Sequence, residues 1–125
     1  MPGETRRLAH GEWGVSLDPA QAAGWPLHVG LRLADGVLHA QAHALDESEG
    51  LDPWMLLWWN RQTRYVRFAC TRGHEIWVQG DLAAREVDEA ALDRLLGLVV
   101  EGVVAVRQFQ QGRSEPAKPS AWLPD

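Results

Sequence analysis

An alternation of apolar and polar residues marks the first strand that the sequence predicts. Every second residue of 27–34 is apolar, as expected for a strand with one buried face. The Asp35-Gly36 pair that follows favours a two-residue turn, because both central positions of that turn need positive φ. This turn predicts a second strand from Val37 to about Leu45 and sets the register between the two. In that register three pairs face each other: Ala34 with Val37, Arg32 with His39, and His28 with His43.

A second hairpin is predicted from Tyr65 to Gly80, around a three-residue turn Thr71-Arg72-Gly73. Glycine suits the left-handed position of such a turn. The resulting register makes one apolar face and one mixed face. The apolar face pairs Cys70 with His74, Phe68 with Ile76, and Val66 with Val78. The mixed face pairs Arg67 with Trp77 and Tyr65 with Gln79.

Capping residues indicate a first helix. Asp52 is a good N-cap and Pro53 suits the first helical position, so this helix is predicted over about 53–61. Its residues are apolar nearly all round, which predicts that it is largely buried or forms part of an interface. The helix contains three tryptophans, Trp54, Trp58 and Trp59. Not all of them can be deeply buried in a small core.

A second, longer helix is predicted to begin after Asp88 and to run to about Phe109. Its apolar residues cover more than one face, so we expect one side against the sheet and another against a second copy. Gly97 and Gly102 each weaken the helix by about 1 kcal/mol relative to alanine. Tertiary packing must offset this, or the glycines admit the close approach of another backbone.

The remaining segments carry weaker signals. Residues 1–11 look frayed, and Trp13–Leu17 is predicted to form a short strand. Residues 19–24 are predicted to form a helical turn or a loop. A chain of 125 residues favours one domain, which we place at 1–111 and define poorly over its first eleven residues. The Pro-rich segment 112–125 is predicted to be a flexible tail.

Composition narrows the class of function. The net charge is −5, whereas general nucleic-acid binders are usually basic. Cys70 is the only cysteine, which excludes an internal disulfide, and we expect it to be buried and unreactive. No apolar run reaches the ~20 residues that span a bilayer, and the N-terminus does not resemble a secretory signal. We therefore expect a cytoplasmic protein with no membrane partner.

The order of strand, hairpin, helix, hairpin and long helix resembles the YbjN family of bacterial proteins over about Pro26 to Phe109. The resemblance rests most on an asparagine that ends the middle helix, a phenylalanine in the next strand and an acidic-leucine corner: Asn60, Phe68 and Asp81-Leu82. It implies the fold of type III secretion chaperones, an α+β class with a twisted antiparallel sheet of about five strands and helices on one face. It also implies a homodimer and a non-catalytic role, described for the family as sensory-transduction regulation or chaperone-like binding. Members typically begin with a helix, which the Pro- and Gly-containing N-terminus of this chain does not favour.

Three histidines are predicted on the polar face of the sheet: His28, His39 and His43. Three imidazoles together could bind zinc or titrate near the ordinary histidine pKa of ~6.5. The simpler interpretation is a solvated strand face, which we favour because no carboxylate or cysteine is visibly placed as a further ligand. We therefore assign no metal and no cofactor. A small metal- or ligand-binding protein stays open as an alternative.

Arg67 opposite Trp77 predicts a cation–π pair with Tyr65 beside it. The pair either stabilises the sheet locally or anchors a recognition surface, because these residue types are frequent in interface hot spots. We favour capture of another protein on this face and its adjoining groove, through seven residues: Tyr65, Arg67, Trp77, Arg32, His28, His39 and His43. A homodimer contact is assigned to four apolar residues of the two helices: Leu98, Val100, Val104 and Trp58.

A further alternative is a nucleic-acid accessory protein. Four arginines near aromatic residues could stack on a single strand and neutralise it: Arg61, Arg64, Arg67 and Arg72. The acidic net charge opposes this interpretation. The sequence contains no phosphate loop, nucleophile elbow or metalloprotease helix. The predicted function is therefore non-catalytic protein binding, chaperone-like or regulatory, and not enzymatic.

Overall fold

The structure is a computed structural model that describes residues 4–18, 26–46 and 51–111. The described elements are six strands, two α-helices and one 3-10 turn: β1 (Glu4–Ala9), β2 (Glu12–Leu17), β3 (Leu27–Ala34), β4 (Val37–Leu45), α1 (Pro53–Gln62), β5 (Val66–Cys70), β6 (Ile76–Ala83), the 3-10 turn (Ala84–Glu86) and α2 (Glu89–Gln111). The predicted turn or loop at 19–24 and the tail from Gly112 lie outside the described residues. No helix in the described ranges has the length and apolar character needed to cross a membrane.

All six strands belong to one antiparallel sheet with the order β1-β2-β3-β4-β6-β5. The sheet has one strand more than predicted, because residues expected to be frayed form β1 and pair with β2. The turn between them depends on Gly11, whose φ is +73°. Leu33 N donates to the Gly11 carbonyl at 2.7 Å, and a Cβ on Gly11 would lie 2.9 Å from the Leu33 carbonyl oxygen. Only glycine fits this turn without strain.

Both helices cover the same face of the sheet, as predicted. Every second residue of the strands joins buried residues of α1 and α2 in one core. α2 crosses β4, β6 and β5, whereas α1 packs beside β5. The Trp59 ring links the two helices to the sheet, since its centroid lies 5.5 Å from that of Phe68 and 5.6 Å from that of Phe109. The α+β class with helices on one face is confirmed.

The first hairpin has the predicted two-residue turn. Asp35 and Gly36 have φ values of +53° and +77°, and Ala34 pairs with Val37 as expected. Arg32 also faces His39. The predicted pair of His28 with His43 is not formed, because the β3–β4 ladder ends one step earlier, at Val29 and Ala42. His28 instead shares a hydrogen bond of 2.8 Å with the hydroxyl of Ser16 on β2.

The register of the second hairpin differs from the prediction. The three-residue turn lies one position later, at 72–74, and His74 rather than Gly73 takes the left-handed conformation, with φ of +65°. Thr71 closes the turn, because its backbone N–H donates to the Glu75 carbonyl at 3.0 Å and its hydroxyl accepts from Glu75 N at 3.2 Å. The observed pairs are Val66 with Gly80, Arg67 with Gln79, Phe68 with Val78, Ala69 with Trp77, and Cys70 with Ile76. Each partner moves by two residues, so the residues within β5 and β6 keep their predicted faces, whereas Tyr65 lies before β5.

Asn60 closes the outer edge of β5. Its side-chain amide donates to the Phe68 carbonyl at 3.1 Å and accepts from Phe68 N at 2.6 Å, as a neighbouring strand would. The Thr63 hydroxyl donates to the Val66 carbonyl at 2.6 Å. These contacts explain why an asparagine lies in the last turn of α1, and they protect an edge strand from pairing with another chain.

The predicted N-caps are confirmed at both helices. Asp52 accepts from Trp54 N at 2.9 Å, and Asp88 accepts from Ala91 N at 2.7 Å. Cys70, in contrast, is exposed rather than buried. It is the last residue of the edge strand β5, where the helices no longer cover the sheet. Its burial was predicted only from the face of the sheet on which it lies. That face does not indicate that the strand ends at this residue.

Candidate partner-binding surfaces

The face of the sheet opposite the helices is here called the polar face. No helix in the described part of the chain packs on it. Six of the seven predicted partner-binding residues lie there, spread over β3, β4, β6 and β5: His28, Arg32, His39, His43, Arg67 and Trp77. The alternation of buried and accessible residues along each strand brings them together.

The centre of the polar face holds a carboxylate between a histidine and an arginine. Asp81 Oδ1 accepts from His39 Nδ1 at 2.5 Å, and Asp81 Oδ2 accepts from Arg67 Nη1 at 3.0 Å. Partial burial raises the pKa of the Asp81 carboxyl, but the hydrogen bonds and charges of His39 and Arg67 outweigh burial, so the pKa lies below its ordinary value. Asp81 is therefore ionised at neutral pH and fixes the position of Arg67.

Trp77 has different neighbours from those predicted. It lies opposite Ala69 on β5 and His43 on β4, so the expected cation–π pair with Arg67 is wrong. Its ring meets the His43 ring edge to face at 5.3 Å between centroids. Its indole N–H donates to Glu75 Oε1 at 3.3 Å. The two-residue shift in hairpin register causes the change, since it moves Gln79 into the place opposite Arg67.

Tyr65 does not join the polar face. It precedes β5 in the left-handed conformation, with φ of +68°, a state that costs a non-glycine residue about 1–2 kcal/mol. The conformation turns the chain at the corner after α1. Tyr65 lines a cleft together with Leu95 and Arg94 of α2, on the helix side of the sheet. Six of the seven predicted residues are thus brought together, and the seventh is not.

Three large apolar side chains of α1 form an exposed row, here called the tryptophan stripe: Trp54, Leu57 and Trp58. Their exposed fractions are 76%, 57% and 54%. Residues spaced by three and four lie on one side of a helix, so the three form a continuous surface. Leu57 also lines an adjoining cleft of about 350 Å³ between α1 and the β5–β6 hairpin. Exposed apolar surface of this kind marks protein contacts.

The other predicted dimer residues are half-buried on α2. Leu98 lines a cleft with Gln62 and Thr63 at the end of α1. Val100 is two residues further along, which places it about 200° around the helix, on the opposite flank from Leu98. Val104 lies one turn beyond Val100 and shares its flank. The four predicted residues therefore do not form one patch, and their role in a dimer stays a prediction.

A second apolar cleft, which the sequence did not predict, lies beside the start of α2. Its volume is about 560 Å³, and apolar residues of β2, β3, β4, α2 and the segment just before α2 contribute most of its walls: Trp13, Leu31, Leu33, Leu38, Val87 and Leu92. Leu33 and Val87 are exposed there although the strand pattern places Leu33 on the buried face. α2 lies over β4, β6 and β5, so the helix side of the sheet is less covered near β2 and β3.

Two of the four arginines proposed for nucleic-acid binding contact other residues of this chain. Arg61 lies 6.0 Å from the centroid of the Trp58 ring, on α1. Arg67 is bound to Asp81 on the polar face. The interleaving of arginine and aromatic residues in the sequence therefore does not translate into one stacking platform, and no contact in the described part of the chain favours this alternative.

Comparison with known proteins finds similarity at the level of fold. No family model matches the sequence, and no curated protein matches it. Among solved structures, a chain of the HopA1–SchA chaperone–effector complex superposes with a TM-score of 0.64 at 11% identity, over 79% of this chain and 77% of that chain. A chain of the Yersinia pestis type III secretion chaperone SycH in complex with a fragment of YscM2 superposes with a TM-score of 0.61 at 17% identity, over 81% and 84%. The protein thus has the α+β fold of the type III secretion chaperones.

Proposed function

We propose that this protein is a non-catalytic, chaperone-like binder of another protein and that it acts as a homodimer. The observation that carries the proposal is the tryptophan stripe, because a helix that exposes two tryptophans and a leucine side by side presents a large apolar area of the kind that contacts other proteins. The fold supports the same class of function, since the neighbours named above were solved in complexes of a chaperone with another protein. Membership of the YbjN family and a regulatory role stay predictions.

The tryptophan stripe is proposed as the contact between two copies, with Trp58 at its centre. A single helical row can meet its own copy across a two-fold axis, which is the commonest symmetry of oligomers. Tryptophan is also the residue most enriched in hot spots of such contacts. Leu98, Val100 and Val104 lie on two flanks of α2, so they contribute to a dimer only where one flank adjoins the stripe.

The double variant Trp54→Ser, Trp58→Ser is expected to weaken the dimer at least about 30-fold, the equivalent of about 2 kcal/mol for a hot spot. Light scattering across a concentration series measures the dissociation constant. Leu33→Ser is the matched control, because it removes an exposed apolar side chain outside the stripe. A wild-type protein that stays monomeric at every concentration contradicts the dimer.

The polar face is proposed as the contact with the partner protein. Arg67 and Trp77 are its anchors, and His28, Arg32, His39 and His43 surround them. Tyr65 would contact the partner only from the groove on the helix side. The hydrogen bonds of Arg67 and Trp77 to acidic side chains hold both anchors in place before binding, which lowers the entropic cost of the contact.

The variant Arg67→Ala, Trp77→Ala is expected to lose the partner while it keeps the dimer and most of its stability, because surface ion pairs contribute little. Affinity purification from the source cells, read by mass spectrometry, compares it with wild type. Arg94→Ala on α2 is the control, since it removes an exposed arginine from the other side. A partner recovered equally with wild type and with the double variant rules out this face.

A further inference from the structure

Three potential metal ligands converge where β4 ends and β6 begins: His43, Asp46 and Glu75. Their ligand atoms all lie within 4.8 Å of one another. His43 Nε2 is 3.3 Å from Asp46 Oδ1 and 3.8 Å from Glu75 Oε2. Zinc bonds of ~2.0–2.1 Å in tetrahedral geometry separate neighbouring ligand atoms by about 3.3 Å. The three atoms are therefore already close to the spacing that a single ion requires.

The backbone accounts for the meeting of these residues. The β4–β6 ladder shifts register between His43 and Leu45, so the chain bends and Asp46 returns toward His43. Glu75 comes from the other side, as the first residue after the three-residue turn. The Thr71 hydroxyl accepts from Glu75 N at 3.2 Å and holds this end of the turn. Two local irregularities of the sheet thus create the cluster.

Trp77 orients two of the three ligands. Its indole N–H donates to Glu75 Oε1 at 3.3 Å, while Oε2 is the oxygen that approaches His43. The edge-to-face contact of the Trp77 and His43 rings fixes the plane of the imidazole. Metal ligands are commonly held by such supporting contacts, and loss of one lowers metal affinity about 10–100-fold.

One nitrogen of the His43 imidazole is inaccessible to solvent and lacks a hydrogen-bond partner among the described residues. Nε2 is buried and makes no hydrogen bond within the described residues, although two carboxylates lie close to it. A buried polar atom without a hydrogen bond needs an explanation, and a role as a metal ligand is one. The Arg107 guanidinium attracts Asp46 and so opposes a cation here, which limits its affinity.

We propose that His43, Asp46 and Glu75 bind one divalent transition-metal ion of the zinc class, with water in the remaining position. One imidazole and two carboxylates suit zinc, whereas calcium and magnesium prefer oxygen ligands alone. This site is separate from the proposed dimer contact, but it shares His43 and the supporting Trp77 with the proposed partner-binding face. It also differs from a site shared by the three histidines of the polar face, because His28 and His39 are bound to Ser16 and Asp81.

Calorimetric titration of chelator-treated protein with zinc chloride tests the proposal. Wild type and His39→Ala are expected to bind one equivalent with the same affinity. His43→Ala and Glu75→Gln are expected to bind at least tenfold more weakly. Trp77→Phe, which keeps a ring but loses the indole N–H, is expected to bind about tenfold more weakly, the lower end of the range for a lost supporting contact. Circular dichroism confirms that each variant is folded. Glu75→Gln is the most informative variant, since glutamine can still accept the hydrogen bond from Trp77.

Three results overturn the site. Absence of zinc binding by wild type means that the trio is a cluster of polar side chains that does not hold the ion. An equal loss of affinity in His39→Ala means that zinc binds diffusely to the histidines of the polar face. Tighter binding of magnesium or calcium than of zinc shows that the ligand class is wrong.

Discussion

Arg107→Ala is expected to lower the free energy of unfolding by about 3–5 kcal/mol, the largest loss of stability that we expect from a single substitution. Arg107 is only 2% exposed, although it is an arginine. Its Nε donates to the Ala44 carbonyl at 2.8 Å, and its Nη2 donates to the carbonyls of His43 at 3.2 Å and Pro26 at 3.4 Å. Alanine would remove the one side chain that donates to all three of these carbonyl groups. One side chain of α2 thus holds the end of β4 and the approach to β3.

The charge of Arg107 adds to the expected effect. Burial lowers the pKa of its guanidinium from the ordinary value, and the nearby charge of Asp46 acts in the opposite direction. The group still carries its charge, because arginine is not deprotonated in proteins. Arg107→Lys is expected to restore only part of the stability, since an ammonium cannot donate in the planar arrangement that the carbonyls require.

Thermal unfolding followed by circular dichroism measures this prediction. A loss of 3–5 kcal/mol corresponds to a fall in Tm of roughly 10–20 °C for a chain of this size. Arg94→Ala on the same helix is the matched control, because Arg94 is exposed and its loss is expected to stay within about 0.5 kcal/mol. A change of less than about 1 kcal/mol for Arg107→Ala would contradict the inward-facing role of this arginine.

Gly80→Ala and Gly97→Ala are expected to change stability in opposite directions. A Cβ at Gly80 would lie 2.8 Å from each of three atoms: Leu95 Cδ1, Val66 Cγ1 and the carbonyl oxygen of Tyr65. The last is a backbone atom that cannot rotate away, so we expect a loss of about 1–3 kcal/mol. At Gly97 a Cβ would meet no described atom within 4 Å apart from its chain neighbours and the backbone of its own helix, so alanine should stabilise α2 by about 0.5–1 kcal/mol.

Urea denaturation of the two variants shows whether packing or helix propensity determines the effect of an alanine at each glycine. Midpoints on opposite sides of the wild-type midpoint, with unchanged slopes, are the expected result. The same result would show that Gly97 serves no close approach of another backbone. Stabilisation by both alanines would mean that α2 lies further from β6 than the structure shows.

Local signals in the sequence were sufficient for much of the fold. Asp35-Gly36 predicted the first hairpin, because positive φ at two successive positions has few alternatives to this pair. The caps at Asp52 and Asp88 placed both helix starts. Period-two alternation assigned the strand residues to one face of the sheet or the other. A register shift of two residues leaves that assignment unchanged.

The register of the second hairpin could not be predicted, since it depends on contacts distant in sequence. Gly73 was the natural residue for the left-handed position, yet His74 takes it. Thr71 stabilises this later turn by bonds to Glu75 at both its backbone and its side chain. Hydrogen bonds from a side chain such as Thr71 favour one turn position, whereas the conformational preference of glycine favours another. Which position is adopted depends on contacts made in the folded sheet.

The candidate sites also divide into those that local sequence signals predict and those that depend on contacts distant in sequence. The tryptophan stripe could be predicted from spacing, because residues 54, 57 and 58 share one side of any helix. The two carboxylates beside His43 could not be predicted from the sequence, because a bulge in β4 and a turn before β6 bring them close to the imidazole. Arg107 gave one usable signal, a single charge that follows directly on the apolar stripe of α2. The structure shows that this charge faces inward.

Native mass spectrometry of the protein, purified from its source cells at near-physiological salt, tests the proposed function most directly. It weighs the intact assembly and so reports both copy number and any bound polypeptide. The proposal predicts a species with two copies of this chain and at least one further polypeptide, which Arg67→Ala, Trp77→Ala reduces to the bare dimer. A single unaccompanied copy at all concentrations would contradict both the dimer and the chaperone-like role.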